Sequence, residues 1–245
     1  FDFIFVVMKR TQVEEVLEPL SLNRSPNIVF VVNTASGYEH WLQAVGKDRL
    51  MIGFPAAGGE RRDGIIHYFI FRGASRLFQT TTFGEPGGIR TRRAETVIRI
   101  FNRAGIPSAF CSRMDAWQKT HVALVTSIAN ALYGYGCDNH RLAASDSGLT
   151  EMVLAVKEGF HVLQNLGIQP TPNKMSVFFL PAPVLTLAFK LIMNTQFAEF
   201  TMAKHCITAR DEMISLQAEL DRLIEKSCIS TPYINHLKKN LILHP

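Results

Sequence analysis

A lysine standing alone among small and polar side chains on one face of a helix can serve as a proton donor, and Lys119 is such a residue. It lies in the stretch Cys111 to Gly136, CSRMDAWQKTHVALVTSIANALYGYG. At ~100° per residue, Lys119, Ala123, Thr126, Ser127 and Asn130 form one stripe of that helix. Trp117, His121, Leu124, Val125, Ile128 and Leu132 form a broad apolar face on the other side. Ser112 followed by Asp115 resembles a capping box, and Gly134 and Gly136 are stop signals. Taken alone, the stripe reads as a solvated helix back. If the rest of the chain places a cleft there, Lys119 is its one cation, able to protonate or neutralise a developing oxyanion.

The first part of the chain supplies two more polar candidates. Phe3–Val7 and Asn27–Val32 are fully apolar, β-branched runs, and Arg49–Phe54 is strand-like. Between them, Thr11–Leu20 and Gly37–Val45 carry helical spacing. This β-α-β-α-β alternation predicts a parallel sheet with crossover helices. Ligands of such sheets bind outside the carboxyl ends of the strands, where Lys9 and Asn33 fall. Further on, residues 65–73 and 75–85 resemble two antiparallel strands joined near Gly73. The glycine-rich Gly84–Gly88 does not lead directly into a helix as a phosphate loop would, and reads as a plain loop. Thr91–Arg103 is an amphipathic helix.

Beyond Met114 the pattern is almost wholly helical. Leu149–Leu166 and Val184–Met193 are clear helices, and Met202 to Ile224 keeps one helical register with Thr201, His205, Thr208 and Glu212 on its flank. Tyr233–Leu243 is a final short helix. The expected organisation is an α/β domain over residues 1–109 and an all-helical domain over residues 110–245.

This arrangement resembles the ketopantoate reductases, the NADPH-dependent 2-dehydropantoate 2-reductases, over nearly the whole chain. The resemblance is carried by VVMKRTQV around Lys9, VVNTASG around Asn33, RRDG at Arg61–Gly64 and TTFGEPGG at Thr81–Gly88. AWQK at Ala116–Lys119 and ARDEM with ISTPYINHL near the end complete it. It implies a Rossmann-type domain, truncated at its start, followed by an all-α domain of the 6-phosphogluconate-dehydrogenase type. It makes Lys119 the catalytic residue, Glu212, Asn139, Ser127 and Thr201 the substrate-binding set, and Lys9 and Asn33 the cofactor-binding residues. It also implies NADP as cofactor, a small 2-oxo acid or related ketone as substrate, and a homodimer formed through the helical domain. The family's GxGxxG phosphate loop is expected upstream of Phe1. Hydride transfer to a ketone leaves an alkoxide, which an ammonium at Lys119 would protonate.

The sequence departs from the family where substrate is held. Asparagines four and eight residues after the lysine are here Ala123 and Ser127, and the carboxylate-binding serine falls on Phe200, beside Thr201. Two functions therefore stay open: a reductase, of ketopantoate or of another substrate, and a catalytically silent NADP-binding or regulatory homologue.

Composition narrows the partners. Lys and Arg number 26 against 21 Asp and Glu, and this +5 is spread without a long basic run, which argues against a nucleic-acid surface. The hydrophobic share of 47% and charged share of 19% are those of an ordinary globular protein. Cys111, Cys137, Cys206 and Cys228 form no CxxC pair and the histidines no HExxH, so no metal is expected. Free thiols suit a reducing compartment, and a cytoplasmic location is the expectation. Val177–Met193, broken by prolines, falls short of the ~20 apolar residues of a membrane span, so no membrane partner is expected.

Overall fold

A computed structural model of the chain describes residues 1–77 and 79–243, and of residues 60–62, 74, 77, 242 and 243 it describes the backbone alone. The chain divides into two compact units, Phe1–Asp115 and Ala116–Pro245.

The first unit is built on a five-stranded sheet of β1 (Ile4–Val6), β2 (Ile28–Val31), β3 (Leu50–Phe54), β6 (Thr81–Gly84) and β7 (Ser108–Phe110), in that spatial order. The strands β1, β2 and β3 are parallel; β6 runs antiparallel to β3, and β7 is parallel to β6. Both faces of β2 and β3 are buried, which is why their sequences are continuous apolar runs. On one face Val29, Val31, Met51 and Phe83 pack with Ala94 and Val97 of α3 (Arg92–Arg103). On the other lie α1 (Glu14–Leu22) and α2 (Glu39–Val45), with Phe30 stacked on Trp41 at 4.7 Å. The helical turn Arg10–Gln12 precedes α1.

The antiparallel pair differs from the expected one. The partner of β5 (Ile65–Ile70) is β4 (Ala57–Arg62), with Arg62 opposite Ile65. The turn between them is Asp63-Gly64, both at positive φ, the geometry of a two-residue hairpin turn. RRDG is thus a hairpin tip, and the side chains of Arg61 and Arg62 lie outside the described residues. Residues 73–77 form a 3-10 turn, and β6 joins the main sheet instead.

The second unit is all helical. Its central element is α4 (Met114–Gly134), followed by α5 (Asn139–Ala143) and α6 (Asp146–Asn165). A 3-10 stretch at Asn173–Phe179 leads into α7 (Ala182–Met193). Then come α8 (Gln196–Ala198), a π-helical turn at Glu199–Ala203, α9 (Lys204–Thr208), α10 (Arg210–Ser227), α11 (Pro232–Leu237) and α12 (Lys239–Leu243). The expected single helix from Met202 is broken at Ala209, whose φ of −122° and ψ of 26° leave the helical region. Caps set the short elements: Asp138 accepts from the amides of His140 and Arg141, and Ser145 from that of Gly148. Among the described residues no single helix is long and apolar enough to cross a membrane.

Candidate active site

In the second unit the helix α4 is covered on nearly all sides, and its polar-looking stripe is buried as deeply as its apolar face. Ala123, Thr126, Ser127 and Asn130 are all within 3% of complete burial, whereas Leu124 and Val125 are half-buried. Two features make this stripe a packing face. The Thr126 hydroxyl donates to the Val122 carbonyl at 2.7 Å and that of Ser127 to Ala123 at 2.8 Å, so each is satisfied within its own helix. Moreover, α6 crosses so closely at Gly159 that a Cβ there would lie 3.0 Å from the Ala123 Cβ. Ala123 therefore does not open room for a substrate; it is the contact that lets α6 approach.

The same stripe meets α10. The Asn130 amide donates to Gln217 Oε1 at 2.8 Å, and the Arg210 guanidinium stands over the Tyr133 ring at 4.2 Å. Gln217 in turn donates to Asp221 at 2.9 Å, which fixes the orientation of both amides. So α4 and α10 bring Lys119, Ser127 and Glu212 onto one pair of helices. Lys119, on the second turn of α4, is half-buried, and the residues on either side of it, Gln118 and Thr120, are buried. Thr120 ties this turn down, donating to the Ala116 carbonyl at 2.7 Å and accepting from the Thr171 amide at 3.0 Å. Glu212 is buried in the first turn of α10, where the helix start has no side-chain cap and favours an anion.

The other candidates are not all placed with these. Asn139 is buried, and its amide donates to the Met193 carbonyl at 2.7 Å, so it anchors α5 to the end of α7. Thr201 sits in the π-helical turn with its hydroxyl on the Phe197 carbonyl at 2.7 Å. The neighbouring Phe200 ring carries the Lys204 ammonium at 3.9 Å.

On the far side of α4 from Lys119, the rings of Trp117 and His121 stack at 5.5 Å. Burial, with a smaller contribution from His205, pushes the His121 pKa down to about 3. This ring is neutral throughout the physiological range. Its folded pKa lies below the unfolded value of about 6.5, so the unfolded chain takes up a proton that the folded one refuses. Stability tied to His121 is therefore fully present above pH 6.5 and is lost as pH falls toward 3, by on the order of 4 kcal/mol at most. His121→Phe should flatten that decline in thermal melts between pH 6.5 and pH 4; an unchanged pH slope would refute the assignment.

In the first unit, Lys9 and Asn33 occupy equivalent places. Val6 of β1 pairs with Phe30 of β2, and each candidate lies three residues beyond its member of that pair. Both sit at the carboxyl edge of the parallel strands, where Thr81 also accepts from the Ala56 amide at 3.1 Å.

The glycine-rich Gly84–Gly88 lies at the other edge of the sheet, since Gly84 pairs with Ile52 and Thr82 with Phe54. It connects β6 to α3 through Thr91, which caps that helix. The anion position at this helix start is filled by the chain itself. Buried Glu85 accepts from the Thr91 hydroxyl and from both Nε and Nη2 of Arg93, the former at 2.8 Å. Arg93 also holds the carbonyls of Asp48 and Leu50. Gly84 is required because a Cβ would stand 2.3 Å from the Cys111 carbonyl oxygen. This loop is a structural clamp and not a phosphate cradle. Among the described residues no group of His, Cys, Asp and Glu is arranged to hold a metal ion.

The fold so defined is shared with known oxidoreductases. A 2-dehydropantoate 2-reductase from Geobacter metallireducens GS-15 superposes with a TM-score of 0.75 at 14% identity, over 99% of this chain and 77% of that one. D-mandelate dehydrogenase, in a ternary structure with NADH and anilino(oxo)acetate, gives 0.73 at 14% identity, over 99% and 75%. The dimeric ketopantoate reductase from Staphylococcus aureus gives 0.69 at 13% identity, over 100% and 77%. No family model and no curated protein matches the chain by sequence. The chain thus has the ketopantoate reductase fold, a Rossmann-type α/β unit followed by an all-α unit.

Proposed function

We propose that this protein is an NADP-dependent reductase of a 2-oxo acid or related ketone, with Lys119 as the proton donor. The observation that carries the reading is Lys119 itself, half-buried on the second turn of α4 at the start of the helical unit, in a fold whose solved examples include reductases and dehydrogenases. One of those neighbours holds an oxo-carboxylate beside NADH.

The residues at the carboxyl edge of β1 and β2 fit the nicotinamide end of such a cofactor. Asn33 offers an amide that can both donate and accept, as a carboxamide requires, and Lys9 offers a cation suited to ribose or phosphate oxygens. The bound dinucleotide would supply the hydride, as its chemistry dictates. The chain's own part is to hold the carbonyl near Lys119 and to deliver the proton from its Nζ to the oxygen as charge develops there. Glu212, in the first turn of α10, is assigned to ordering the bound ligands.

The substrate need not be ketopantoate. Ser127 has its hydroxyl on its own helix and Asn139 has its amide on Met193, so polar groups of the family pattern are spent internally. A site with fewer free polar partners discriminates differently among oxo acids. The same observation favours, as a second reading, a homologue that binds NADP without turnover.

The deciding measurement is NADPH consumption by the whole protein against a panel of 2-oxo acids that includes ketopantoate and aromatic oxo acids. Turnover of at least one is expected. NADPH binding with no turnover of any would sink the reductase reading in favour of the silent one, and absence of NADPH binding would sink both.

A further inference from the structure

The outer face of α3 carries charge of one sign. Between Asp63 and Asp115 the sequence holds eight arginines, no lysine and two acids, Glu85 and Glu95, a surplus of six against +5 for the whole chain. No long basic run marks this segment; helical spacing gathers the charge. At ~100° per residue, Arg92, Arg99 and Arg103 fall within about 40° of one another on α3. They lie opposite Ala94 and Val97, which pack on the sheet, and all three are exposed. The row spans roughly 16 Å of helix. Exposed Arg72 extends it past the end of α3, where a Cβ on Gly105 would lie 3.9 Å from the Arg72 Cζ. Both acids are already engaged, Glu85 with Thr91 and Arg93, and Glu95 with Arg90 at 3.3 Å. Among the described residues no ion pair reaches Arg72, Arg92, Arg99 or Arg103. A helix face that merely meets solvent ordinarily mixes both signs.

We propose that this arginine face docks an acidic segment of a different protein, whatever reaction the chain performs. Charge complementarity fixes the sign of the partner, and the choice of side chain fixes its chemistry. A guanidinium pairs two parallel N–H groups with one carboxylate, which an ammonium cannot do. Arginine is also enriched, and lysine depleted, where proteins meet. Ile100, on the flank of the row and 51% exposed, supplies an apolar contact beside the charges. A second copy of this chain is not the occupant, because a two-fold contact would set the row against itself, like charge on like. A nucleic-acid strand fits less well. Its bases need aromatic rings to stack on, and the large apolar side chain exposed on α3 is the aliphatic Ile100.

The test is fluorescence anisotropy of the whole protein with a labelled peptide of Glu-Glu-Leu repeats. Saturable binding is expected at low salt, weakened about tenfold or more by Arg99→Glu/Arg103→Glu and by added salt. Lys226→Glu/Lys239→Glu makes the same change of charge at exposed positions of the helical unit. It should leave the affinity within about twofold. The milder Arg99→Lys/Arg103→Lys, which preserves helix and charge and loses the planar fork, should weaken binding by about threefold. Far-UV circular dichroism should be unchanged in each variant. Absence of saturable binding, equal losses in the two glutamate variants, or lysine variants that bind as wild type would overturn the proposal. So would tighter binding of a labelled single-stranded oligouridylate than of the peptide, which would assign the face to nucleic acid.

Discussion

Replacing Lys119 by Met in the whole protein should lower kcat by roughly three orders of magnitude, the range over which a positioned acid and one oxyanion partner act. Methionine keeps the length and apolar stem of the side chain and removes only the ammonium. Since Gln118 and Thr120 are buried on either side, and Thr120 is held by Ala116 and Thr171, the turn itself should persist. NADPH affinity should therefore stay within about twofold, and substrate KM should move far less than kcat, the pattern of an interaction made in the transition state. Lys119→Arg should recover part of the loss, because the guanidinium keeps the charge but is a poor proton donor. The measurement is steady-state NADPH oxidation with the best substrate found. A kcat within tenfold of wild type for Lys119→Met would refute the role.

The second large effect concerns stability and not turnover. Glu85→Ala should destabilise the first unit by about 3 kcal/mol, or roughly 10 °C in its melting temperature. The carboxylate it removes is buried and takes bonds from Thr91 and from two nitrogens of Arg93. The guanidinium left behind would stand near the start of α3 with its charge uncompensated, against the helix dipole. The partial exposure of Arg93, 19% of its side chain, keeps the estimate at the low end for a broken buried pair. The double variant Glu85→Ala/Arg93→Leu should regain part of the loss by removing the stranded charge. Calorimetry showing a shift under 2 °C for the single variant would count against the clamp.

The parts of the fold that sequence made legible are those where burial and hydrophobicity agree. The apolar run at residues 27–32 is a strand covered on both faces; the run at 3–7 is a strand too, but at the end of the sheet with Phe5 and Val7 exposed, and Lys9 and Asn33 followed as residues beyond the strand ends. Residues 57–62 were missed as a strand because AGGERR has little β propensity; the signal was Asp63-Gly64, a hairpin turn dipeptide. Ser108–Phe110, three residues long, carries too little pattern to register.

The α4 stripe was misread for a different reason. Small and hydroxylated residues look like a solvated surface or a cleft lining, yet hydroxyls that bond four residues back carry no polar demand on their surroundings. Lys119 stands out in the sequence because it is the lone cation in such a stripe. The satisfaction of Ser127 and Asn139 was not legible, since it depends on carbonyls that only the folded backbone brings near. The placing of His121 on the apolar face agrees with its neutral state, held by burial.

The crossing of Ala123 and Gly159 bears on how this sequence can drift. Each position lacks the volume the other would have to surrender, so neither can enlarge unless α6 first moves away. A larger side chain at 123, such as asparagine, could not enter by a single substitution without straining the crossing. The two sites should therefore change together or not at all.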